Sequence, residues 1–161
     1  MHAAGLAAKR GYSRVYTFIG GIPEWRRFNY PMTVDPEYQR IPVTRLEPHR
    51  VRELLRDPAY FLLDVRPKDF QRDASFIAGA RHCPLVHLGE RYPALPADRT
   101  LIISDWAMKQ SPAAAKFLTR KGYKVAGVLR GGMERWQAER LPVEQRTPGP
   151  GLDLPETADR D

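Results

Sequence analysis

The chain is poor in the residues that most directly announce chemistry. It holds one cysteine, Cys83, in 161 residues, which excludes an internal disulfide framework and a cysteine-based metal cluster. The histidines His2, His49 and His87 are scattered with no ligand spacing, and His82 stands beside Cys83, so neither a metal nor a cofactor is expected. No apolar run approaches the ~18 residues that a membrane span needs. The opening MHAAGLAAKRGY also lacks the apolar stretch of a signal peptide. A membrane partner is therefore not expected, and the chain names no compartment. Lysine is scarce as well: 20 of the 26 basic residues are arginine. The net charge of +7 is spread along the chain from Lys9 onward without a dense run or an aromatic-basic ladder. That pattern reads as a solvated, Arg-rich surface and argues against a nucleic-acid partner.

With 42% hydrophobic residues, the chain can fill a core of ordinary size. The stretch that organises it is Thr100 to Ala115, TLIISDWAMKQSPAAA. Leu101 to Ile103 predict a buried strand, and Asp105, Trp106, Ala107, Met108, Lys109 and Gln110 a six-residue loop. Ser111 is the expected N-cap of a helix, with Pro112 in its first turn. A strand feeding a short loop over a helix N-terminus makes an anion cradle, because the unpaired amides of the first turn point into the loop. The loop nevertheless carries no Cys, Ser or His among its six residues, and its first residue is an acid.

Around this centre the pattern predicts helices over 3–10, near Trp25, from Glu47-Pro48 with Val51, Leu54 and Leu55 on one face, over 68–71, over 85–91, from Ser111 to Lys121, and over 133–138. Strands are expected over Val15–Ile19, near Val43, over the apolar run Tyr60–Val65, through FIAGARHCPL, and over Val125–Leu129. The tail from 146 onward, rich in Pro, Gly and acid, reads as disordered.

An internal repeat overlies this reading. Moved 111 positions along the chain, the first 32 residues fall without a gap on its later part. Gly11-Tyr12 meets Gly122-Tyr123, Gly20-Gly21 meets Gly131-Gly132, Trp25 meets Trp136 and Pro31 meets Pro142. Each of these residues has its own structural reason to be where it is, so one register for all of them marks a duplicated unit.

Asp64-Val65-Arg66 at a strand end, Ile77-Ala78-Gly79-Ala80, the helix end Gly122-Tyr123, and Gly131-Gly132-Met133 with Trp136 and Leu141-Pro142-Val143 resemble, in order and spacing, the signature of a rhodanese homology domain. The resemblance implies an α/β fold: a doubly wound sheet of about five mainly parallel strands flanked by helices, with its site at the carboxyl end of the strands. It implies four segments: 1–32, the C-terminal part of an incomplete upstream copy; 33–43, a linker; 44–145, a complete domain; and 146–161, a tail. On this reading Met1 is not the native start.

In active members of that family a Cys opens the loop, takes sulfane sulfur from a donor such as thiosulfate, and passes it to a thiophilic acceptor. The loop motif is roughly Cys-x-x-Gly-x-Arg-Ser. Here the resemblance sets Asp105 in place of the Cys, Met108 in place of the Gly and Gln110 in place of the Arg, and keeps Ser111. A carboxylate cannot carry a persulfide, and it argues against a small anion in the loop even though Lys109 and the helix amides remain. A phosphatase-type role for Asp105 would need a second acid and metal ligands, and none is in register. Asp64 and Arg66 are expected to pair and to brace the loop, and Cys83 to be a small, partly buried hydrophobe. The expectation is a catalytically inactive rhodanese-like domain that binds an upstream rhodanese domain or a homodimer partner. The alternative is a sulfurtransferase whose catalytic Cys lies in the upstream domain.

Overall fold

The computed structural model describes residues 2–33, 35–67 and 74–146. The helix expected over 68–71 and the tail from 147 lie outside the described residues. The chain forms two compact units, Met1–Asp35 and Pro36–Asp161, so the division falls inside the stretch read as a linker.

In the first unit, helix α1 (His2–Lys9) and helix α2 (Gly21–Arg27) flank a stretch without regular structure. The strand expected over Val15–Ile19 does not form. A strand's hydrogen bonds are made to other strands, and the described residues of this unit offer none. Local order is nonetheless firm. Helix α1 ends with Gly11 in the left-handed region, φ 89°, where the Gly11 amide donates to Ala8 O and the Tyr12 amide to Ala7 O, the paired bonds of a Schellman stop. The Trp25 indole donates to Pro31 O at 2.9 Å, and Phe18 and Tyr30 pack edge-on against its ring.

The second unit runs through helix α3 (Pro36–Arg40), strand β1 (Arg45–Leu46), helix α4 (Pro48–Leu54), and strands β2 (Tyr60–Asp64), β3 (Ser75–Ile77) and β4 (Arg81–His82). Helix α5 (Leu85–Arg91), strand β5 (Thr100–Ser104), helix α6 (Ser111–Arg120), strand β6 (Val125–Leu129), helix α7 (Gly132–Ala138) and strand β7 (Val143–Gln145) complete it. Helix α3 lies in the stretch expected to be a linker. The Lys116 ammonium reaches back to the carbonyls of Tyr38 and Gln39 at its end.

Five strands form one parallel sheet in the order β1-β6-β5-β2-β4. The run YFLLDV is apolar except for Asp64 because both faces of the sheet are covered. Leu63, Leu101, Ile103 and Val128 face α5 and α6 and pack with Leu88, Ala114, Ala115 and Leu118. Their neighbours Leu62, Ile102 and Leu129 face the other way, onto Val51, Met133 and Trp136. Strand β5, the middle of the five, is buried on both sides. A separate antiparallel pair joins β3 to β7, which the sequence pattern had not separated from the closing Leu-Pro-Val motif.

Candidate active-site loop

The loop after β5 is built around Asp105, which is 2% exposed. Its Oδ1 accepts the Met108 amide at 2.6 Å and its Oδ2 the Ser111 amide at 2.9 Å, with a further short bond from the Gln110 amide. Three backbone donors therefore converge on one carboxylate, and the cradle expected from the strand-loop-helix geometry is filled from within the chain. This corrects the expected cap. Ser111 is the first residue of α6, and no side-chain cap comes from the neighbouring Gln110. The buried Ser111 hydroxyl has no hydrogen-bond partner among the described residues. Asp105, six residues upstream, supplies the acceptor that an N-cap side chain would supply, and a charged acceptor outcompetes a hydroxyl for amide donors.

Met108 holds φ at 58°, a conformation that costs a side-chain-bearing residue on the order of 1–2 kcal/mol. The strain is answered locally, because this turn is what brings the Met108 amide onto Asp105. The Met108 sulfur in turn lies 3.2 Å from the Gly131 amide. Lys109 is exposed, while Trp106 and Ala107 are half-buried. The six predicted loop residues thus lie together before the N-terminus of α6, which Ser111 opens.

The Gly131-Gly132-Met133 segment holds the other side of this loop. The Met133 amide donates to Asp105 O at 2.8 Å and the Glu134 amide to Trp106 O at 3.0 Å. Gly132, at φ 62°, lies so close that a β-carbon there would fall 2.3 Å from Trp106 O. The sequence reading took these glycines for a break and a family signature and missed their contact with the loop. The signal was two glycines in series, of which a turn needs only one.

Asp64 and Arg66 brace the end of β2, next to β5. Arg66 Nε lies 2.9 Å and Nη2 2.8 Å from Asp64 Oδ2, and Nη2 also donates to Ser75 O at 2.8 Å. Both side chains are buried, and the guanidinium stacks on the Phe76 ring at 4.6 Å. A buried pair of this kind organises more than it stabilises, since desolvation offsets much of the attraction. The bonds tie the end of β2 to Ser75, the first residue of β3.

Cys83 was expected to be partly buried and is fully so. Burial pushes its thiol up to about 11, against a smaller opposing pull from Arg91, and its Sγ faces Pro84 O at 3.9 Å. It lacks the accessibility of a reactive thiol, and the pull of Arg91 is outweighed by burial. Near the far end of β6, the Glu47 carboxylate meets Arg130 at 2.5 Å and Arg135 at 2.7 Å. The Arg130 hydrogen bond comes first among the causes that hold its carboxyl below the usual range. Among the described residues, no group of His, Cys, Asp and Glu could hold a metal ion, and no helix is long and apolar enough to cross a membrane.

Comparison with known families matches residues 47–139 to the rhodanese-like domain. The thiosulfate sulfurtransferase GlpE of Actinobacillus succinogenes is 32% identical over 102 residues, spanning 63% of this chain and 90% of the relative. Among solved structures, a rhodanese-related protein from Thermoplasma volcanium superposes with a TM-score of 0.56 at 27% identity over 62% of this chain and 96% of its own. The Alr3790 protein of Anabaena sp. gives a TM-score of 0.55 at 28% identity, over 62% of this chain and 80% of its own.

Proposed function

The chain belongs to the rhodanese-like domain family, and from that premise we propose that its second unit is a member without sulfur-transfer activity, serving a structural or binding role beside another rhodanese-like domain. One observation carries this. In an active loop, a thiolate attacks the outer sulfur of thiosulfate, the sulfur-sulfur bond breaks, sulfite leaves, and the persulfide formed is held by the loop amides. Here those amides are occupied by Asp105, which stands where the family motif has its Cys and cannot attack sulfur. The carboxylate also repels an incoming dianion. At ~4 Å, each unit of like charge costs on the order of 1–4 kcal/mol, depending on the local dielectric. Cys83 offers no substitute while it is protonated and buried.

The test is thiocyanate formation from thiosulfate and cyanide. The native chain is expected to give none above a buffer blank and to show no persulfide adduct by mass spectrometry. Turnover that survives Cys83→Ser would refute the reading. Restoring the motif with Asp105→Cys, Met108→Gly and Gln110→Arg together is expected to create turnover. Asp105→Ala alone leaves three amides, one buried and two half-buried, without their acceptor, and is expected to lower stability by about 3 kcal/mol in denaturant titration.

The likeness to a thiosulfate sulfurtransferase favours a second reading, in which this domain accompanies a catalytic copy that carries the Cys. The two readings agree on the chain itself. They part when it is assayed with a Cys-bearing rhodanese-like domain: altered turnover of that domain supports the second.

A further inference from the structure

We propose that residues 2–33 are the closing third of a second rhodanese-like sheet. Their partner would be a rhodanese-like segment running from first strand to loop, the counterpart of residues 44–110, on whichever polypeptide carries it. The proposal rests on the family assignment for the class of partner, and is independent of whether the Asp105 loop is inert.

The first unit reproduces the backbone of residues 113–144 wherever that backbone depends on itself. Tyr12 N to Ala7 O at 3.2 Å repeats as Tyr123 N to Leu118 O at 3.1 Å, and Tyr30 N to Trp25 O at 3.2 Å as Leu141 N to Trp136 O at 3.1 Å. The indole bond from Trp25 to Pro31 O repeats from Trp136 to Pro142 O, both at 2.9 Å. Left-handed residues recur in register at Gly11 with Gly122, Gly21 with Gly132, and Asn29 with Arg140; the exception is Gly131, at φ 74° with its amide against the loop's Met108 sulfur, where Gly20 lies at φ −71°.

What differs is the cover. Phe18, Ile22, Trp25 and Tyr30 are 37–61% exposed, whereas their counterparts Leu129, Met133, Trp136 and Leu141 are at most 7% exposed. In the second unit this face closes on Val51, Leu62, Ile77 and Ile102, so the structure itself shows what kind of surface fits it. Gly21 makes the same point about backbone. It keeps φ at 58°, as Gly132 keeps 62°, but a β-carbon on Gly21 would meet nothing nearer than Pro23 Cδ at 3.7 Å. The close approach that Gly132 makes to the loop has no occupant at Gly21. The Ile22 amide corresponds to the Met133 amide that holds Asp105 O, so the partner is expected to present a loop carbonyl there. Pro23 has no amide hydrogen to match Glu134, so the partner's next carbonyl goes without that bond.

A second copy of this chain is a poor occupant, because its own residues 113–144 already cover that surface and would have to leave first.

Three measurements decide the matter. In the full chain alone, light scattering is expected to show a monomer, with amides 14–18 exchanging at coil rates. A dimer that protects those amides would make the second copy the occupant and overturn the proposal. Next, residues 113–144 of the full chain are replaced by the sequence of residues 2–33, at equal length. A cooperative melt with slow exchange through the transplanted counterpart of 14–18 is expected, and its absence overturns the proposal. Finally, a Gly21→Val change at the transplanted position is expected to abolish that protection, while Gly21→Val in the native first unit leaves the melting midpoint of residues 36–146 unchanged. Protection that survives the valine in the transplant would show that the segment is not seated on a loop, and would equally overturn it.

Discussion

Residues 2–33 and 113–144 follow one pattern of glycine, tryptophan and proline in one register, yet only the second contains a strand. Helix stops, the indole-to-carbonyl bond and three of the left-handed residues are alike in both, while Gly131 at φ 74° corresponds to Gly20 at φ −71°. The shared features are closed by atoms within a few residues of each other, so short-range sequence suffices to set them. Strand β6 needs β5 on one side and β1 on the other. Residues 14–18 have neither among the described residues of their unit, and they stay irregular. Turn chemistry therefore travels with the sequence, while strand identity is conferred by neighbours.

The sharpest way to break this comparison is at the paired glycines. Gly132→Ala places a β-carbon within 2.5 Å of the carbonyl oxygens of both Asp105 and Trp106, backbone that cannot swing aside as a side chain would. A loss of about 4 kcal/mol or more is expected, enough to lower the melting midpoint of the second unit by over 15 °C. Gly21→Ala meets nothing nearer than Pro23 Cδ at 3.7 Å. Its backbone strain at φ 58° falls on the first unit, so it is expected to leave that transition where it is. Equal effects from both would mean that Gly21 is already seated against something.

The tryptophans give the next largest contrast. Trp136→Ala empties a fully enclosed site between α4, α7 and the sheet, and is expected to cost about 3–5 kcal/mol by calorimetry. Trp25→Ala removes a ring whose contacts are with Phe18, Tyr30 and Pro31 of its own unit, and is expected to move the second transition by less than about 0.5 kcal/mol.

Cys83 makes the second unit separately observable, since the first has no thiol. Burial pushes its thiol from the usual 9.0 up to about 11. The sign follows from which state ionises first. Below pH 9 both folded and unfolded thiols are neutral and the stabilisation is complete. As pH rises from 9 toward 11, only the unfolded thiol gives up its proton, and stability falls by roughly 2–3 kcal/mol. Urea midpoints measured from pH 8 to 11 check this, with Cys83→Ala as the variant that removes the contribution. Labelling of the native chain by a thiol reagent at pH 8 is expected to be slow, limited by opening of the second unit, and indifferent to Trp25→Ala.

How much of this was legible beforehand follows the same division. The parallel sheet could be anticipated from the apolar runs 60–65 and 101–103 and from the motifs that mark the family, and the repeat could be seen in the spacing of Gly, Trp and Pro. Val15–Ile19 misled because a β-like pattern says what a segment can join, and cannot say whether a partner is at hand. Ser111 misled for a related reason. A serine followed by proline is a sound local cap, but the acceptor that won, Asp105, lies across a loop whose turn depends on Met108 adopting a left-handed conformation. The role of Gly132 was hidden because its reason is an atom contributed by residue 106, some 26 positions away in sequence.

The finest contrast lies at the ends of α2 and α7. Both close with a non-glycine residue in the left-handed region, Asn29 at φ 57° and Arg140 at φ 52°, and both donate the same stop bonds, to Arg26 O and Gln137 O. Asparagine visits that conformation at little cost, whereas arginine has no short polar group to compensate its β-carbon. Arg140→Gly is therefore expected to stabilise the second unit, by about 0.5–1 kcal/mol once the greater freedom of glycine in the unfolded chain is counted against the relief. Asn29→Gly is expected to change nothing measurable in either transition. Parallel urea titrations of the two variants check the pair. A destabilised Arg140→Gly would mean that the arginine's aliphatic stem, rather than the turn, is what closes α7.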